Sequence, residues 1–481
     1  MYKKESKEHL EEHFELFVIS PDVFFFARSF FSFKKNNEIS KNKRTIELPP
    51  TTPRPLYHPF HQANTSEDNE TMADPLYDLI MDKQLARNEY PMEKLDTARA
   101  NMHTSLMAAA ATKEIWDKYK DKVSSGPAHW TMARAINTGV SYPHSFVGCH
   151  AGDAESWDDF QDFFYPVIEA YHTNFLVSEG EAILSQLGTP SERMDPAKIH
   201  VDLSPSAQKK IISTRIRIAR NISSFPLNPG GSVESRQQEL LRKVYDGFES
   251  DELKGDLFEH ATMSDEQRQG LIDDHFLFRG ADAMQAASGY HVGWPHGRGV
   301  FHNKEKTFVN WINEGDHIRI ISMKLGADIR GVFQLLSDGA NAIEAGIKNI
   351  TGLDNAYLMH RKFGAITCCP SNLGTGLRCS VHILIPKLIQ SWGFQKIDDF
   401  CRERFCQARG SSGEHSEVID RVGISNWRRI GIPEYSLIED MIKCVNDIVQ
   451  TLEDAINSSI TCMCTVVAPM HIILIFQSFK F

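Results

Sequence analysis

Thr367-Cys368-Cys369-Pro370-Ser371-Asn372-Leu373-Gly374-Thr375-Gly376-Leu377-Arg378-Cys379-Ser380-Val381-His382 is the stretch from which the rest of the chain is read. Ala365 to Cys368 predicts a short strand that stops at Pro370, because proline cannot donate to a sheet ladder. Asn372, Gly374 and Gly376 predict a loop whose backbone can approach a ligand closely. From Leu377 the residues alternate, which puts Arg378, Ser380 and His382 on one strand face and Leu377, Val381, Ile383 and Ile385 on the other. A thiol, a polar loop and a guanidinium thus fall within a few residues, a combination suited to an anionic ligand beside a reactive cysteine. A cysteine in a core strand is ordinarily an inert small hydrophobe, so the surroundings of Cys369 decide its role.

A second alternating strand lies upstream, Ile211-Ile212-Ser213-Thr214-Arg215-Ile216-Arg217-Ile218-Ala219-Arg220. Arg215 and Arg217 share a face while Ile212, Ile216 and Ile218 look to the core. Adjacent guanidiniums repel unless an anion lies between them; a solvated sheet face is the plain alternative. Thr307 to Asn313 and His317 to Met323 predict a hairpin with His317 and Arg319 on one face. Phe333, Leu336, Ala340, Ile343 and Ile347 mark an amphipathic helix from Ile329, and Glu434 to about Ile456 another. Arg409-Gly410-Ser411-Ser412-Gly413-Glu414-His415 has the make-up of a loop that closes over a substrate.

From Asp74 to about His172 the signals are helical. Thr112 and Glu114 open a helix carrying Ile115, Trp116 and Tyr119. Asp153 caps the next, with Trp157, Phe160, Phe164, Ile168 and Tyr171 on one stripe. Between them Asn137 to His150 is expected to be a binding loop, being rich in small and turn-forming residues. The predicted architecture is α+β, a small all-helical domain followed by a larger, mainly antiparallel sheet flanked by helices.

The 481 residues allow two to four domains, and 41% hydrophobic with 24% charged residues describes an ordinary globular chain. A formal net charge of -11 argues against non-specific nucleic-acid binding, so an anionic substrate requires a local basic pocket. Nine cysteines form no dense framework, and Cys401 to Cys406 lacks zinc-knuckle spacing, which points to a reducing cytoplasm. No Walker-type loop, internal repeat or secretory signal is present in the sequence.

Cys369-Pro370-Ser371-Asn372-Leu373-Gly374-Thr375 closely resembles the signature of the phosphagen kinases, the ATP:guanidino phosphotransferases. The resemblance spans roughly residues 74–455 and implies transfer of the γ-phosphoryl group of MgATP to a guanidino nitrogen, with ATP and ADP and a small guanidine as partners and Mg2+ as cofactor. It implies that Ser213, Thr214, Arg215, Arg217, His275, Arg319, Arg378, His382, Arg409, Gly410 and Gly413 hold the nucleotide. Ser145, Phe146, Val147, Gly148, Cys149 and His150 would receive the guanidine, and Cys369 and Glu414 would orient its reacting group. Six residues separate Gly139-Val140 from Val147-Gly148, a length similar to arginine kinases, as is Tyr171. Cys149-His150-Ala151-Gly152-Asp153 resembles creatine kinases instead; L-arginine is the expected substrate, with taurocyamine, glycocyamine and creatine as alternatives.

One departure concerns the hairpin. The family pattern Asn-Glu-Glu-Asp-His reads Asn313-Glu314-Gly315-Asp316-His317, so Gly315 replaces the catalytic second Glu, and Glu314, which matches the first, is the candidate carboxylate for the guanidine in its place. This departure speaks for a further alternative, a weakly active or inactive nucleotide-binding relative serving as a scaffold. The expected organisation is 1–72 as a disordered or spurious extension, 73–172 as the helical guanidino domain, 173–206 as a linker, 207–456 as the catalytic domain and 457–481 as an atypical apolar tail.

Overall fold

Alternation of isoleucine and arginine places β1 (Ile211–Arg220) in the middle of the sheet. In the computed structural model, which describes residues 80–100, 105–173, 175–233, 236–278, 280, 282–410 and 420–454, β1 is followed by β2 (Gly255–Glu259), β3 (Gly299–Asn303), β4 (Phe308–Ile312) and β5 (Ile318–Leu325). A two-stranded ribbon, β6 (Met359–His360) and β7 (Gly364–Ala365), precedes β8 (Arg378–Leu384), β9 (Cys406–Arg409) and β10 (Arg421–Asn426). Eight strands run in the order β2-β3-β4-β5-β1-β8-β10-β9, every neighbouring pair antiparallel. The expected α+β architecture is observed.

One face of this sheet carries Ile216, Ile218, Ile320, Val381, Ile383 and Ile424. Against it pack Leu241 and Val244 of Gln238–Asp246, Leu336 and Ile343 of Ile329–Thr351, and Leu388 and Ile397 of Pro386–Arg402, whose two halves meet at a kink at Gly393. Met441 and Val445 of the helix over 434–454 complete this layer. The other face is divided. Over β3, β4 and the Ile321 end of β5 it is apolar, Val300, Val309 and Ile321 lying under Leu271, Phe276 and Phe278. Over β1 and β8 it carries arginines.

The N-terminal helices build their own core from Leu95, Trp116, Trp130, Trp157, Phe160, Phe163 and Phe164. That core is continuous with Tyr290, Phe363, Cys368, Leu373 and Ile430, so the helical region is seated on the segment leading into β8. Thr112 caps Lys113–Tyr119 by accepting the Ile115 N–H at 3.3 Å, as expected.

Three expectations are corrected. The strand expected over Ala365 to Cys368 is confined to Gly364–Ala365. Beyond it the backbone bonds elsewhere: Cys368 N–H donates to Asp316 Oδ1 at 3.0 Å, and the Cys368 carbonyl accepts Ala151 N–H at 2.8 Å. With those groups taken, no ladder can continue. The loop expected from Asn137 begins only at Tyr142, because Thr131 caps a helix Met132–Ser141 whose Ala135, Ile136 and Val140 are buried at helical spacing. The aromatic stripe after Asp153 occupies two helices, Ser156–Asp159 and Gln161–Tyr171, broken at Phe160. Residues 173–206 contain short helical turns, with Phe175, Val177, Ile199 and Leu203 buried. No helix among the described residues is long and apolar enough to cross a membrane; the extension over 1–72 and the apolar tail lie wholly or almost wholly outside them.

Candidate active site

Register assembles the basic face. Across β1 and β8, Arg217 stands opposite Arg378, Arg215 opposite Ser380, and Ser213 opposite His382, with the Ser213 hydroxyl 3.1 Å from His382 Nδ1. The row through His382 continues to Gly423 on β10 and Arg409 on β9. On the other side Ala219 pairs with Arg319 of β5. Five arginines spread over roughly 200 residues of sequence are thereby placed along one surface. Burial, then Arg319, lowers Arg215 to about 10, and its guanidinium lies over the Trp311 ring at 5.6 Å. Burial, then Arg319, Arg215, Arg378 and Arg429, pushes Arg217 well below the usual range. Cations held in one desolvated patch in this way are complementary to a polyanion. The exposed His275 precedes Phe276, whose carbonyl accepts Trp311 Nε1–H at 2.7 Å, so it borders the same face.

Thr214 leaves this group. Strand alternation turns it to the opposite face, where it is fully buried and donates to the Gly326 carbonyl at 2.8 Å. Gly410 follows β9 directly; Gly413 and Glu414 lie outside the described residues.

Cys369 opens the turn Pro370–Asn372 ahead of β8, its Sγ 3.1 Å from Ser371 Oγ. It is the partly exposed thiol among the seven described cysteines. Burial raises it above the ordinary thiol range, while the Ser371 hydrogen bonds and nearby Arg429 oppose that shift. Desolvation thus outweighs the local donors and holds the thiol above its ordinary range. Iodoacetamide should accordingly label Cys369 before the other described cysteines, at a rate still rising above pH 9. Ser371→Ala should move that profile to higher pH, and mass mapping reads both; a plateau near neutral pH would contradict the burial argument. Arg429, which sequence reasoning did not single out, donates to the carbonyls of Ser371 and, at 3.1 Å, Leu377, bracing the loop.

The loop from Tyr142 hangs from the helical region: Leu106 N–H donates to the Phe146 carbonyl at 2.9 Å and Met107 N–H to that of Val147 at 3.1 Å. Ser145 N–H is already committed to Tyr142 at 2.9 Å, and Gly148 turns the chain with φ +73. Cys149 and His150 point inward. Cys149 is fully buried, and His150 Nδ1 lies 3.0 Å from Thr138 Oγ1 with its ring edge-on to Tyr290. Burial lowers His150 to about 4, so it is neutral at physiological pH. The Phe146 side chain is 41% exposed and meets Tyr171 and Trp427.

The hairpin between β4 and β5 closes the site. Glu314, expected as a carboxylate for the guanidine, pairs with Arg319 at 3.0 Å. Burial lowers Arg319, but Glu314 and Asp316 outweigh it and raise that guanidinium. Cys368 Sγ donates towards the Gly315 carbonyl at 2.9 Å and lies 3.0 Å from Asp316 Oδ1. Cys368 and Cys369 thus occupy different surroundings, one in the core and one at the site. Among the described residues no group of three His, Cys, Asp or Glu side chains is placed to hold a metal ion; a divalent ion suits this cationic face as part of a metal–triphosphate, ligated by phosphate oxygens and water.

Two family models match the chain: the ATP:guanido phosphotransferase C-terminal catalytic domain over residues 236–455 and the N-terminal domain over residues 101–169. An arginine kinase of Penaeus vannamei is 38% identical over 340 residues, 70% of this chain and 89% of the relative. The substrate-free duplicated taurocyamine kinase from Schistosoma mansoni is similar in structure at a TM-score of 0.65 and 30% identity, covering 75% of this chain. This chain spans 49% of that protein's length. A lombricine kinase structure has a TM-score of 0.63 and 31% identity, with coverage of 74% and 96%.

Proposed function

The chain belongs to the phosphagen kinases, the ATP:guanidino phosphotransferases, and on that premise we propose that the guanidine it phosphorylates is L-arginine. Transfer of the ATP γ-phosphate to a guanidino nitrogen is the activity of the family; the choice of guanidine is the finer reading. The observation that carries it is the six-residue spacing between Gly139-Val140 and Val147-Gly148, with Tyr171 beside Phe146 at the loop's edge. The arginine kinases among the similar proteins support the same choice.

In this reading Arg215, Arg217, Arg319, Arg378 and Arg409 bind the phosphates of MgATP, their planar forks donating to two oxygens at a time. Magnesium arrives on the nucleotide and offsets part of its charge. A guanidinium is a poor nucleophile because its lone pairs are delocalised, so the protein's task is to align it and receive a proton. Cys369 aligns it as an anion formed in the guanidinium's presence, and Glu414 is the proposed carboxylate partner. Backbone N–H groups after Ser145 receive the substrate's α-carboxylate. Reversible transfer would store high-energy phosphate as phosphoarginine in the cytoplasm.

Taurocyamine or lombricine is the second reading, favoured by the names of the similar solved structures. A coupled ATP assay over a panel of guanidines tests the choice. L-Arginine should exceed creatine, taurocyamine and lombricine in kcat/KM by at least about tenfold, roughly 1.4 kcal/mol. Equal or better turnover of any other member overturns it.

A further inference from the structure

Three aromatic side chains far apart in sequence meet beside the proposed guanidine site. Tyr171 and Trp427 stack with ring centres 4.9 Å apart at 21°. Phe146 lies 6.2 Å from each of them. Tyr171 is buried, and its neighbour His172 places Nε2 2.9 Å from the Pro370 carbonyl, immediately after Cys369. Trp427 is held in turn: its backbone N–H donates to the Phe405 carbonyl at 2.8 Å, and the Arg402 guanidinium lies over its ring at 3.9 Å.

These contacts have a directional consequence. The loop's carbonyls at 146 and 147 are bonded to the helical region, whereas the Phe146 side chain reaches across to Tyr171 and Trp427. The loop is therefore pinned from two sides, by backbone bonds and by ring packing. Arg402 strengthens the second, because a guanidinium over an indole is favourable and holds the ring's orientation. Removing Trp427 would leave Phe146 with one ring contact and most of its surface in water.

We propose that Trp427 is a specificity-determining residue: through Phe146 and Tyr171 it fixes the height of the Tyr142–Gly148 loop above Cys369, and so the length of guanidine whose reacting nitrogen reaches the thiol. This rests on the reading that the loop receives the substrate's far end. Trp427 acts through these other residues, as a positioning residue.

The test is steady-state kinetics of Trp427→Ala, Trp427→Phe and Phe146→Ala with MgATP and a panel of guanidines differing in length. Trp427→Ala should raise KM for the preferred guanidine about tenfold and reduce its advantage over longer and shorter guanidines by a similar factor. The KM for ATP should stay within about twofold, a split that general loss of structure would not produce. Trp427→Phe should restore most of the discrimination, since a ring remains. Phe146→Ala removes the same contact from the exposed side and must flatten the ranking likewise, which keeps the proposal testable if Trp427→Ala does not fold. Unchanged ratios in Phe146→Ala or a folded Trp427→Ala, or equal changes in both KM values, overturn the role of Trp427 alone. If the wild-type protein turns over no guanidine in the panel, the reading of the loop fails and the proposal falls with it.

Discussion

Arg217→Met is expected to reduce turnover about a thousandfold, the range seen when one preorganised donor to developing charge is removed, while leaving the free protein at least as heat-stable as the wild type. Arg217 faces Arg378 across the β1–β8 register and is flanked electrostatically by Arg319, Arg215 and Arg429. Burial first and these cations second depress its guanidinium. A base whose folded value lies below its unfolded one weakens the fold wherever it is charged, and that penalty eases only as pH rises through the folded value. At neutral pH the charged form therefore opposes folding of the free protein, and methionine of similar length removes the opposition. MgATP should raise the melting temperature of the wild type clearly and that of Arg217→Met little. A variant that melts several degrees lower, or keeps more than a tenth of the rate, would show that Arg217 is a structural cation.

Gly315→Glu is expected to raise kcat on the order of a hundredfold, roughly 3 kcal/mol, with little change in ATP affinity. Glycine stands where the family resemblance expects a second catalytic carboxylate, and the first, Glu314, is engaged by Arg319 at 3.0 Å. A Cβ at 315 would sit 3.0 Å from Tyr290 Cε2 and 3.4 Å from Arg319 Nη2. The new side chain thus enters beside Arg319 but presses on a buried ring, so a loss of about 1–3 kcal/mol of stability should accompany the gain in rate. Glu314→Gln separates the two carboxylates. It strips a buried guanidinium of its partner, which should lower stability by about 3–5 kcal/mol and raise KM for ATP by loosening Arg319. If Glu314→Gln instead abolishes kcat without lowering the melting temperature, Glu314 is itself the catalytic carboxylate and the hairpin has re-aimed it. A wild-type rate indifferent to both substitutions would remove the hairpin from the chemistry.

Parts of this molecule were legible because they depend on neighbours in sequence. Period-two alternation in Ile211–Arg220 and Arg378–Leu384 separated arginines from isoleucines before any partner strand was known, and the observed burial follows it. Thr112 marked a helix start because a cap acts over three residues. The signature at Cys369 to Thr375 placed the chain in its family. Alternation also carried the information that removes Thr214 from the arginine face, although the family motif includes it.

Tertiary structure alone decided the rest. Which arginines face one another is a matter of register between strands about 160 residues apart, and local pattern does not specify it. The strand expected up to Cys368 ends at Ala365 because Asp316 and Ala151, distant in sequence, take its backbone groups. Two adjacent cysteines differ because one is buried against Gly315 and Asp316 while the other borders Ser371 and Arg429. The ionisation of Cys369, the pairing of Glu314 and the meeting of Phe146, Tyr171 and Trp427 likewise arise from desolvation and packing among separate segments. The chain by itself determined the family, the fold class and which residue types face the site; how each is charged and held was decided only when folding excluded water and brought those segments together.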